Sequence, residues 1–148
     1  MPTTLEVAQA LADALVDVSP QDGYVVEPFM VFAPGGPCID VYPSDPAEED
    51  LAFGHGTATL WWTIRLRVET MDSEGQQAFL YGARDQIGPT SVRAALLADE
   101  TLGGVVDSLM VGRPTGFQLY EDSPGSGSLR YLGQEWRVGT HVSAGPDS

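Results

Sequence analysis

Two histidines and one acidic run are the residues best suited to chemistry. His55 sits in "FGHGT" and His141 in "VGTHVS"; Asp45, Glu48, Glu49 and Asp50 lie in "DPAEED". Together they could form a small metal-dependent site, since a hard cation takes carboxylates and a softer one takes imidazole. The spacing argues otherwise. The acidic run lacks the alternating ligands and central glycine of a calcium loop. Gly-His-Gly reads as a turn, and His141 falls on the solvent side of its strand. "PGSGS" resembles a phosphate cradle but has no following Lys or helix, so it reads as a hairpin turn. No G-x-S-x-G, P-loop, H-E-x-x-H or G-x-G-x-x-G is present. No catalytic residue, metal or cofactor is expected.

Charge and cysteine narrow the field further. The net charge is −14, and all seven basic residues are Arg. Such a chain has no footprint for gripping DNA phosphates, although it could stand beside DNA as a repelling surface. Cys38 is the single cysteine, so neither an internal disulfide nor a cysteine metal cage can form. No basic-then-apolar leader and no long apolar run is seen, so neither a secretory signal nor a membrane span is expected. A reducing site of synthesis fits.

The remaining candidates are contact residues. "TATLWWTIRLRVET", Thr57 to Thr70, alternates with a period of two. Leu60, Trp62, Ile64, Leu66 and Val68 share one face; Trp61, Thr63, Arg65, Arg67 and Glu69 share the other. One of the adjacent tryptophans can fill a core. The other must be covered by a helix or another molecule. Arg65 and Arg67 on its face suggest pairing with an acidic neighbour. Trp61, Arg65, Arg67 and Glu69, with Arg130, Glu135 and Arg137 of the last strand, are the interface candidates.

The elements that must carry these residues follow from pattern. Thr3 to Glu6 is a capping box. Behind it Leu5, Ala8, Leu11, Ala12, Leu15 and Val16 predict a helix over 4–18, ended by Ser19 to Gly23. Tyr24 to Pro46 holds short strands broken by prolines, with Cys38 to Tyr42 the clearest. A second helix is expected over 73–87, with Phe79, Leu80, Ala83 and Ile87 inward, and a third over 92–98. Strands are expected over 105–111, 116–121 and 129–142, the last two joined by the loop Asp122 to Ser128. In the last, Trp136, Val138 and Val142 oppose Glu135, Arg137 and His141. Gly103 is expected to close the third helix in the left-handed conformation. One α+β domain over 1–148 results, with a mainly antiparallel sheet on about three helices, long strands forming a projecting hairpin, and a frayed tail from about 143.

This series resembles a known family. It comprises an N-terminal helix, "PCIDVYPSDP", "WWTIRLRVET", then "SVRAALLADETLGGVVDSLMV" and "YLGQEWRVGTHV". The order is similar to the tail terminator (minor tail, head-to-tail joining) proteins of long, non-contractile-tailed phages, especially those infecting actinobacteria. The resemblance covers about Thr4 to Val142. It implies an α+β fold and a virion protein assembled in the host cytoplasm. It also implies a homo-oligomeric ring of six copies that ends tail-tube polymerisation. Such a ring would contact the tail tube protein and the head connector, leave a channel for DNA, and have no enzymatic activity. A head-completion or neck protein is the alternative, and a metal-dependent enzyme using His55 and His141 a third reading.

Overall fold

The structure, a computed structural model, describes residues 2–18, 25–31, 37–44, 49–52, 57–69, 73–121 and 130–143. Helix α1 spans Thr4–Leu15 and opens with the expected capping box. The Glu6 amide donates to Thr3 Oγ1, and the Thr3 amide donates to Glu6 Oε2, both at 3.1 Å. Val7, Ala8, Leu11, Ala12 and Leu15 form its buried stripe. The predicted last turn is present as a 3-10 segment, Val16–Val18.

Seven strands form one mixed sheet. They are β1 (Val25–Glu27), β2 (Cys38–Pro43), β3 (Glu49–Ala52), β4 (Thr57–Glu69), β5 (Ser108–Val111), β6 (Gln118–Glu121) and β7 (Arg130–Ser143). β1 runs parallel to β2; every other pairing is antiparallel. The fold is therefore α+β with a mostly antiparallel sheet. At its centre β4 and β7 pair over their full lengths, from Thr57↔Ser143 to Glu69↔Tyr131. The far edge of β4 carries β3 and then β2; the far edge of β7 carries β5 and then β6. The long strands thus enter two hairpins, β3–β4 and β6–β7, at opposite ends of the sheet. The two strands pair with each other throughout, and the tips of both hairpins lie outside the described residues. Short edge strands leave little unpaired backbone for accidental association.

Helices α2 (Ser73–Arg84) and α3 (Val92–Leu97) join α1 on one face. Leu80 and Ala83 of α2, and Val92 and Leu96 of α3, enter the core with Ile39, Val41, Ile64, Leu66 and Val138. Each fully buried large aliphatic contributes about 1.5–3 kcal/mol. Trp62 fills this core, and its indole Nε1 donates to Thr140 Oγ1 at 2.9 Å, so the ring buries without losing a hydrogen bond. Gln134 is also buried: its Nε2 donates to Leu80 O at 2.8 Å, and its Oε1 accepts from Arg84.

Some expected boundaries move. α2 ends at Arg84, where the Asp85 amide bonds back to Gly82 O; Ile87 therefore lies beyond the helix and is 82% exposed rather than inward. α3 ends at Leu97 with Ala98 as its cap, so Gly103 is not its closing residue. It lies in a second turn, whose amides at Thr101 and Gly103 donate to the Asp99 carboxylate. Such local side-chain bonds compete with helix continuation. Gly103 (φ 71°) and Gly104 (φ 91°) are left-handed as expected, and Leu102 joins them at φ 50°. β5 starts at Ser108 because this turn occupies the residues before it, and β6 starts at Gln118. Ser143, expected in the tail, belongs to β7. The turn at Ser19 to Gly23, the loop Asp122 to Ser128 and the tail after Ser143 lie outside the described residues.

Candidate interaction surface

The sheet face away from the helices carries the candidates. Asp40 on β2 sits opposite Arg65 on β4. Arg65 Nε donates to Asp40 Oδ1 at 3.1 Å and its Nη2 to Oδ2 at 2.5 Å, a bidentate fork. Arg67 Nη2 reaches the same Oδ2 at 3.3 Å and Val31 O at 2.7 Å. The Val31 amide donates to Asp40 in turn, at 3.0 Å. Asp40 is fully buried and Arg67 is 5% exposed. The acidic neighbour expected for Arg65 and Arg67 is therefore Asp40 of the same chain. Arg67 is enclosed rather than available for docking.

Aromatic rings frame this ion cluster. The Arg65 guanidinium lies 5.2 Å from the Tyr42 ring centroid and 5.6 Å from that of Tyr120. Arg67 lies 5.8 Å from Tyr131. Tyr120 donates to Glu135 Oε2 at 2.6 Å, and Glu135 sits across the ladder from Arg65. Burial pushes the Tyr120 phenol up, and the Glu135 carboxylate pushes it further. Burial raises Tyr42 to about 12. Burial alone would lower Arg65, but its hydrogen bond to Asp40, the Asp40 charge and the neighbouring phenols together outweigh that, and the net shift is upward. Burial likewise lifts the Cys38 thiol to about 11, aided by Asp40; a protonated, enclosed thiol is a poor nucleophile.

Trp61 lies at the other end of this face. It crosses Gly139, where an added Cβ would stand 2.8 Å from the indole. Arg137 covers it at 4.4 Å. The second tryptophan is thus covered in part by its own chain. Arg130 is exposed at the start of β7, opposite Glu121. Glu69 pairs through its backbone with Tyr131, and its side chain lies outside the description. The structure therefore brings Trp61, Arg65, Arg67, Glu135 and Arg137 onto one face, while Arg130, next to Tyr131 in the strand, falls on the other. Sequence reasoning missed Asp40, Tyr42 and Tyr120. The alternation of Cys38 to Tyr42 placed Asp40 and Tyr42 on one face, but only the β2–β4 register connects Asp40 to Arg65.

His141 is exposed, and its Nδ1 meets Thr59 Oγ1 at 3.4 Å. His55, Asp45 and Glu48 lie outside the described residues. Among the described residues no three His, Cys, Asp or Glu side chains cluster to hold a metal ion, and no helix is long and apolar enough to cross a membrane. The arrangement on this face is suited to holding strands together and presenting a surface. The sequence matches no protein-family model and no curated protein with which it was compared.

Proposed function

We propose that the chain is a structural virion protein: a tail terminator that forms a ring ending tail-tube polymerisation and joining the tail to the head connector. The observation that carries this reading is the element order. An N-terminal helix, proline-broken strands, a 13-residue strand, two helices and a 14-residue closing strand fold into one α+β sheet. That is the series on which the resemblance rests. The side-chain chemistry supports it as well, since Asp40, Arg65 and Arg67 on the outer face pair with one another. The charge of −14 suits a channel wall past which DNA slides, because like charges repel over a Debye length of about 10 Å.

Electron microscopy of particles assembled without the chain tests the proposal. Overgrown or irregular tails are expected, with normal length restored by the purified protein. Heads that leak DNA while tails keep their length would move the protein to the neck. Complete, infectious particles would end both readings.

A further inference from the structure

Arginine is scarce here, seven residues against 21 Asp and Glu. Arg65 and Arg67 share Asp40. Three others, Arg84, Arg93 and Arg113, line one groove of about 400 Å³ running over Trp136 and Gly112. No carboxylate among the described residues lines this groove, and Glu135 lines the adjoining hollow that shares Arg113 and Trp136. Among the described residues none of the three forms an ion pair. With a threefold excess of acid in the chain, three neighbouring cations outside any ion pair among the described residues are a marked exception. Arg84 is fixed by Gln134 Oε1 at 2.8 Å and by Thr115 O. Arg93 donates one bond to Val111 O at 3.1 Å. Arg113 is exposed and makes no hydrogen bond among the described residues.

An apolar border adjoins the groove. Arg84 lies 5.7 Å from the Phe117 ring, and Phe117 meets Tyr81 edge-on at 5.1 Å. Tyr81 is 61% exposed. Arginine and aromatic side chains grouped in one patch are the composition of a protein–protein contact centre.

The same chain carries the complement. Arg93 belongs to α3, and on the other flank of α3 a second groove of about 400 Å³ lies against α1. Ala10, Ala14, Ala98 and Leu102 line it, and its charged residues are Asp13 and Asp99. One flank of α3 is thus basic and the other acidic, each with an apolar component. A carboxylate accepts the paired donors of a guanidinium in bidentate geometry.

We infer that the basic groove of one copy docks the acidic flank of α3 of a second copy. The contact is heterologous, so each copy uses both flanks, and repetition closes into a ring if the rotation allows. The choice of partner rests on the ring reading above.

Two exposed substitutions test it by light scattering at low salt. Arg113→Glu spoils the basic groove and keeps the acidic flank; Asp13→Arg does the reverse. Each variant alone is expected to associate at least about tenfold more weakly than wild type, a difference of about 1.4 kcal/mol. An equal mixture should recover association, because the basic groove of the Asp13→Arg chain still meets the acidic flank of the Arg113→Glu chain, and the swapped charges are themselves complementary. Covalent trapping gives a second readout. A mixture of Gln86→Cys and Ala98→Cys chains should form a disulfide-linked heterodimer under oxidant, in a yield that high salt lowers by screening the contact. Wild-type association by both variants, a mixture no larger than its parts, or no heterodimer would overturn the inference. If docking behaves as expected but particles lacking the chain keep normal tails, the terminator reading falls and the docking stands. If tails overgrow and Arg113→Glu corrects them as well as wild type, the docking falls and the terminator stands.

Discussion

Asp40 serves two guanidinium groups and one backbone amide while having no contact with solvent. A carboxylate so placed has given up its hydration, and its partners compensate only while all are present. Removing the charge strands Arg67, which is 5% exposed, beside Arg65. Asp40→Asn keeps the shape and removes the charge. It is expected to cost about 3 kcal/mol, within the range for breaking a buried pair. Urea unfolding followed by tryptophan fluorescence measures this, and a loss under about 1 kcal/mol would show that solvent reaches the cluster. The pairing has no local sequence signal. Asp40 and Arg65 stand 25 residues apart, and an alternating strand states only which face a residue occupies. Register, a property of two strands, decides which partner it meets. The same limit hid the α3 flanks, since Arg84, Arg93 and Arg113 form no motif and meet only through the packing of α2, α3 and the segment before β6.

Elements were legible where one period governs them. α1 follows its capping box and apolar stripe, and β4 follows its alternation, because each pattern is local and fixed by burial on one side. Ends were less legible. α2 and α3 stop early where Gly82 and Asp99 offer the backbone alternative bonds. The β4–β7 pair shows a further constraint that no pattern announces. Gly133 lies opposite Arg67, and a Cβ there would stand 2.3 Å from Leu66 O, a backbone atom that cannot turn aside. Gly133→Ala should therefore force the two strands apart and cost about 1–3 kcal/mol or more, with amide exchange quickening along both strands. Unchanged exchange in β4 would end this account. The 98–107 turn makes a different demand. At Gly103 an added Cβ would meet nothing within 4 Å, but φ is 71°. The cost of Gly103→Val is conformational, more than about 1 kcal/mol, and thermal unfolding should show it without any loss of core packing. Gly103→Asn should cost less, because Asn tolerates the left-handed region.

At the scale of the molecule, the sheet separates two kinds of interior. On one side lies an aliphatic core under three helices; on the other lies a layer of arginine, carboxylate, phenol and thiol. The first is indifferent to pH and the second is not. Burial raises Cys38 from 9.0 to about 11 and Tyr42 from 10.0 to about 12, and Tyr120 rises in the same direction. In each case the folded chain holds its proton more tightly than the unfolded chain. The stabilisation from these protons is complete below the unfolded values near 9 and 10, and it is lost as pH rises toward the folded ones. Stability should therefore be level from about pH 7 to 9 and fall between 9 and 12, with the Cys38 part lost first. Net self-repulsion pushes the same way, since a chain at −14 becomes more negative. Melting temperatures measured across this range at constant ionic strength separate the two. Cys38→Ser removes the thiol's ionisation and should flatten the fall between about pH 9 and 11, while Tyr42→Phe should act only above about 10. A decline equally steep in both variants would remove Cys38 and Tyr42 from the alkaline sensitivity and leave it to Tyr120 and net charge.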